Sequence, residues 1–203
     1  MSTKSYMQGR YAFLKGGTRP QAMLWANNPG TTQDSYHVPE GDEGSDFIIV
    51  SDHNRSELSF SQNRIETRER MLNGNMRSYW IADKLNVSCS WNRLPSRSFD
   101  QSVSFDSDGK VVESNYTSYT VDGAAGGGDM LFWYESHPNP FYLYLSYDKY
   151  NSESLSDNNR LHTYGQIIKV YFSSFDHSVE KRSGMLNSNG FDFWNVSIAL
   201  EEA

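Results

Sequence analysis

From Leu85 to Trp91 the chain reads LNVSCSW, and its character changes at every residue. Leu85, Val87, Cys89 and Trp91 are apolar, while Asn86, Ser88 and Ser90 are small and polar. Successive side chains of an extended backbone point to opposite sides, so this pattern fits a strand with one face on a core. FDFWNVSIAL (191–200) repeats the pattern, with Trp194, Val196, Ile198 and Leu200 as its buried set. Two such strands a hundred residues apart require a sheet held by long-range pairing.

Other segments add strands. FIIV (47–50) and ELSF (57–60) are short and apolar; FYLYLSY (141–147) and QIIKVYFSSF (166–175) are longer and rich in aromatic and β-branched residues. RIETRERML (64–72) meets Asn73-Gly74, a dipeptide that readily takes the positive φ of a hairpin turn, and MRSYWIAD (76–83) returns from it. Residues 102–121 read as a further hairpin around Asp106-Ser107-Asp108-Gly109. The D-x-D-G spacing matches the start of a calcium loop, but Thr117 stands where the bidentate Glu would fall, so the ligand count fails. GAAGGG (123–128) reads as a flexible run without the Lys-Ser/Thr of a phosphate loop. Asp129 then caps one short helix, MLFWYES (130–136), ended by Pro138 and apolar almost all round, as a buried helix would be. The segment 148–165 is a polar loop. Eight or so strands and one helix make a mainly β chain, an antiparallel β-sandwich or barrel with one short flanking helix.

Residues 1–46 differ in character from the rest of the chain. Pro20, Pro29 and Pro39 interrupt them, and EGDEGSD (40–46) reads as a solvated acidic loop, with a metal or partner contact as the alternative. Tyr11, Phe13, Leu14, Leu24 and Trp25 give the segment something to bury. It reads as an extended N-terminal arm lying on its own domain or on a neighbour, with 47–203 as a single domain.

Composition closes several functional classes. The single cysteine, Cys89, excludes an internal disulfide and a cysteine-rich zinc site, and its place on an apolar face makes it a small hydrophobe. The five histidines show no metal-ligand spacing. A net charge of −7 argues against gripping nucleic acid by counterion release. No run reaches the ~18 apolar residues of a membrane span, and the N-terminus lacks a signal peptide's apolar stretch, so folding in the cytosol and no membrane partner are expected. That also discounts Asn86-Val87-Ser88 as a glycosylation site. There is no G-x-S-x-G, no H-E-x-x-H, and no carboxylate pair that spacing singles out. The expectation is a chain that is not an enzyme and needs no cofactor.

The hairpin 64–81 is the sharpest remaining feature. Arg64, Glu66, Arg68, Arg70 and Arg77 mix both signs of charge beside Tyr79 and Trp80. Mixed charge suits subunit contacts better than phosphate, and arginine and aromatics are enriched at interface cores. Trp91 and Trp194 fall on buried strand faces and Trp133 in the helix, which leaves Trp25 and Trp80 as possible exposed platforms for sugar rings. A carbohydrate-binding β-sandwich used in receptor attachment is therefore the alternative reading.

Three segments together resemble a family of tailed-bacteriophage minor tail or virion structural proteins. They are RIETRERMLNGNMRSYWIADKLNVSCSWNRLPSR (64–97), GGGDMLFWYESHPNPFYLYLSYDKY (126–150), and KVYFSSFDHSVEKR with FDFWNVSIALEE (169–202); GGTRPQAMLWANNPGTTQ (16–33) adds to them. The resemblance implies a ring in the tail tube or at the tail tip, hexameric by analogy. Neighbouring tail proteins would be its partners and DNA a transient passenger. It also implies a place in the virion after assembly in the host bacterial cytoplasm. A net negative charge agrees in sign with a channel that repels phosphates.

Overall fold

A computed structural model describes residues 22–33, 36–38, 46–98, 119–146, 166–183 and 190–203. Its main body is one antiparallel sheet of seven strands, in the order β4-β1-β7-β8-β9-β6-β5. The strands are β1 (Met23–Ala26), β4 (Phe47–Ile49), β5 (Ser59–Arg70), β6 (Met76–Pro95), β7 (Phe141–Leu145), β8 (Gln166–Arg182) and β9 (Asp192–Glu202). β2 (Thr31–Gln33) and β3 (Tyr36–Val38) form a separate two-stranded ladder. The sheet is open, not closed into a barrel, so the mainly β class holds while the barrel does not. The expected hairpin at 102–121 lies outside the described residues up to 118, as do the loop 148–165 and all of 40–46 except Asp46.

β6 and β9 pair as their alternation requires. Val87, Cys89 and Trp91 stand opposite Leu200, Ile198 and Val196, and all six are buried in one core cluster. Burial pushes the Cys89 thiol up to about 11, outweighing the Arg55 guanidinium beside it, so the thiol is inert packing as expected. β1 comes from the segment read as an arm, yet it is an inner strand between β4 and β7. All four of its residues are buried, because both faces of the sheet are covered there: Met23 and Trp25 lie in one cluster, Leu24 and Ala26 in another. Trp25, expected as an exposed platform, is therefore core, edge-on to Phe141 and Phe172. Trp194, expected on the buried face of its strand, packs against the core cluster but is only half-buried, and it stacks with His177.

The helix α1 (Gly127–Ser136) starts three residues earlier than its propensities suggest. Asp129 is not the cap but stands in the first turn, where its Oδ2 accepts a 2.9 Å bond from the Gly126 N–H. Gly127, Met130 and Trp133 are buried and Tyr134, though partly open, lies on Phe172 and Phe175 of β8, whereas Phe132 is exposed, so only one side of the helix packs on the sheet. GAAGGG is not a flexible run. A Cβ on Gly126 would sit 2.5 Å from the Pro95 carbonyl oxygen and 2.8 Å from the Arg97 Cα, and one on Gly128 would sit 2.8 Å from the Ser96 oxygen. The glycines let two backbones touch, and the Gly128 N–H donates to Ser96 O at 2.8 Å.

A buried polar hub joins the strand ends beside this helix. Asp122 accepts from the Ser51 hydroxyl at 2.7 Å, the Asp52 N–H at 2.8 Å and the Ala124 N–H at 3.2 Å. Asp52 in turn accepts from the Ala22 N–H and the Arg55 guanidinium, fastening the start of β1. His53 accepts from the Val121 N–H through Nδ1, which requires a ring neutral at that nitrogen; burial lowers its pKa in agreement. Substituting Asp122 with alanine strands three donors, two of them buried, and each unmet buried donor costs about 1 kcal/mol or more. The expected result is a loss of about 2–3 kcal/mol in denaturant unfolding. A loss under about 0.5 kcal/mol, the level of an ordinary surface change, would mean that water replaces the carboxylate.

Candidate assembly interface: the β5–β6 arm

β9 accompanies β6 only from Asn86 to Pro95, while β5 accompanies it out to Met76. From the Gln62–Leu85 rung to the Arg70–Met76 rung the two strands therefore run on alone, about 30 Å at ~3.4 Å per residue. The turn at the end is a loop rather than a two-residue turn. Only Gly74 takes positive φ (81°), and the Asn73 side chain accepts from the Asn75 N–H at 3.0 Å. Met71 N–H and Gly74 N–H bond across the loop to Asn75 O and Met71 O. A lone two-stranded ribbon is marginal in water, so its side chains decide whether it persists.

Residues opposite one another in register share a face. Arg64 faces Asp83, Glu66 faces Trp80, Arg68 faces Ser78 and Arg70 faces Met76, and this face continues the one carrying Phe60 and Val87 at the base. On the other side Ile65 faces Ala82, Thr67 faces Tyr79 and Glu69 faces Arg77. The seven residues singled out from the sequence thus lie together on the arm but on two faces, with Arg77 and Tyr79 opposite the other five. A bulge between Ile65 and Glu66 leaves Ile81 without a partner and sets two apolar residues, Trp80 and Ile81, side by side.

Ion pairs stiffen the first face. Arg64 donates to Asp83 at 2.9 Å, and Glu66 accepts from the Ser78 hydroxyl at 2.8 Å and from Arg68. The Ser78 hydroxyl and then Arg68 hold the Glu66 carboxyl below its usual range, and Arg64 does the same for Asp83. Arg64, Arg68 and Asp83 are solvent-exposed and only Glu66 is partly covered, so the pairs shape the ribbon more than they stabilise it.

Apolar exposure concentrates here. Of the twelve large apolar side chains exposed among the described residues, seven are on the arm: Ile65, Met71, Leu72, Met76, Tyr79, Trp80 and Ile81. Leu72, at the tip, is as open as in an extended peptide, and Trp80 is 58% exposed. Scattered exposed apolar residues are ordinary, but a concentration on one projecting element marks a contact surface. The length of the arm and its tip residues Met71 and Leu72 were not singled out in the sequence. The run of Trp80 and Ile81, which breaks the period-2 pattern, is the signal that could have flagged them. Among the described residues no group of His, Cys, Asp and Glu is arranged to hold a metal ion, and no helix is long and apolar enough to cross a membrane.

No protein-family model matches the chain, and no curated protein sequence does. Among solved structures, a chain from the tail of an empty GTA particle with C6 symmetry aligns with it at a TM-score of 0.35 and 10% sequence identity, over 90% of each chain.

Proposed function

We propose that this chain is a structural subunit of a tailed-phage virion, one that joins a ring in the tail tube or at the tail tip through its β5–β6 arm. The observation that carries the reading is the arm itself: a ribbon about 30 Å long, paired with no third strand among the described residues, holding seven of their twelve exposed large apolar side chains beside mixed charge. A monomer gains nothing from holding Leu72, Trp80 and Met76 in water. Burial against a neighbour recovers roughly 25 cal/mol for each Å² of apolar surface removed. The likeness of segments 64–97, 126–150 and 169–202 to tail proteins supports the virion setting, and the net charge of −7 suits a channel through which DNA passes without being held.

The test is assembly of the purified chain. Reversing Arg68 and Arg70 to Glu should weaken it by about tenfold or more, since like charges placed across an interface cost several kcal/mol. The thermal melt of the monomer should stay where it was, because both side chains are exposed. Unchanged assembly in analytical ultracentrifugation would reduce the arm to a solvated ribbon.

A further inference from the structure

The charge of the arm differs in sign from that of the rest of the chain. Gln62–Leu85 holds five basic residues (Arg64, Arg68, Arg70, Arg77, Lys84) and three acids (Glu66, Glu69, Asp83), a net +2. Since the whole chain carries −7, the remainder carries −9, and the described residues outside the arm hold eleven acids against six basic residues, a net −5. Within the arm, Asp83 is taken up by Arg64 and Glu66 by Arg68. Arg70 and Arg77, beside the tip, make no ion pair among the described residues. The end of the arm is thus an apolar cap of Met71, Leu72 and Met76 backed by two guanidinium groups outside any ion pair and one carboxylate, Glu69, in register with Arg77, a net +1.

Resting on the assembly reading above, we infer that the arm of one copy docks on the acidic body of a second copy and not on the second copy's arm. Two arms tip to tip would bury the same apolar residues but bring four guanidinium groups together with only the two Glu69 carboxylates between them. Arm on body buries them with charge complementarity, which also speeds encounter and sets orientation. Donor and acceptor surfaces then differ, so the contact is heterologous. Its product is a closed ring or an open filament, not a two-fold dimer.

The experiment uses the full chain and a tagged copy in which Leu72 and Trp80 are both changed to Ser. That variant keeps its charge and its body but loses the apolar anchors of the arm. Alone, it should self-associate about tenfold more weakly than the unmodified chain, or worse, as loss of interface anchors does. Mixed with unmodified chain, it should still capture it, because unmodified arms can dock on the variant's body, and the mixed assemblies should be shorter. Capture of none would overturn arm-on-body docking in favour of arm-on-arm pairing. Assembly of the variant alone as strong as that of the unmodified chain would remove the arm from the interface while leaving the assembly reading intact. An unmodified chain that stays monomeric would sink both. A second variant, Arg70→Gln with Arg77→Gln, separates the charge from the apolar anchor. Assembly of the unmodified chain should weaken as the Debye length shrinks from about 30 Å at 0.01 M salt to about 3 Å at 1 M, and the variant should respond less. An equal response would overturn the role of charge.

Discussion

Replacing Gly126 with alanine should lower the unfolding free energy by about 3 kcal/mol or more, at the upper end of overpacking effects. The new Cβ would lie 2.5 Å from Pro95 O and 2.7 Å from Arg97 N. Neither neighbour is a side chain that can swing away. Pro95 ends β6 in register with Phe193, and the Gly128 N–H binds Ser96 O, so the contacting segment is fixed from both sides. The φ of Gly126 is −85°, open to any residue, so space alone is what makes glycine necessary. At about 2–4 °C per kcal/mol for a chain of this size, the melting temperature should fall by about 6–12 °C. Gly74→Ala is the contrasting control. No atom lies within 4 Å of its Cβ, and only its positive φ opposes the change, at about 1–2 kcal/mol. If Gly126→Ala melted above Gly74→Ala, the two backbones would have to be farther apart than they stand here.

The same glycines show where sequence reasoning stops. Local propensity places Gly127 and Gly128 outside a helix, because each is about 1 kcal/mol worse than alanine there. The helix nevertheless begins at Gly127, since its first turn packs on residues 95–97 and the Trp194 ring, contacts that no local pattern encodes. Strands with one wet face were legible, as Val87, Cys89 and Trp91 on β6 and Val196, Ile198 and Leu200 on β9 are. β1 was not. Its four residues are buried on both faces, which erases alternation and leaves a short apolar run between prolines. β6 was read as two strands because the bulge at Ile81 breaks the period-2 count, and β8 runs on to Arg182 through a stretch of exposed polar residues. The candidate interface was legible in composition, from its arginines and aromatics. Its geometry was not. That β9 leaves β6 at Asn86 while β5 stays with it to Met76 is a fact about pairing lengths, not about any one segment.

Acidification should stabilise this protein through Asp129. Burial pushes its carboxyl up to about 6 from 3.8, against the opposing pull of the Gly126 N–H and Arg97. The folded state therefore binds a proton at a pH where the unfolded chain does not. Stability from this group is full below the unfolded value and is lost as pH rises through the folded one, over a window from about 4 to 6. A shift of roughly two units corresponds to about 3 kcal/mol between the ends of that window. Asp52, also raised by burial, adds in the same direction, while His53, lowered by burial, and Glu66 and Asp83, lowered on the arm, act the other way. Asp129→Asn separates the contribution. The amide oxygen can still accept from the Gly126 N–H, yet it never ionises. Urea unfolding should find the variant more stable than the unmodified chain at pH 7 by up to about 3 kcal/mol, and equal to it near pH 4. A variant less stable at pH 7 would mean that Arg97 and the first turn of α1 favour the carboxylate over the acid, and the sign of the pH dependence would reverse.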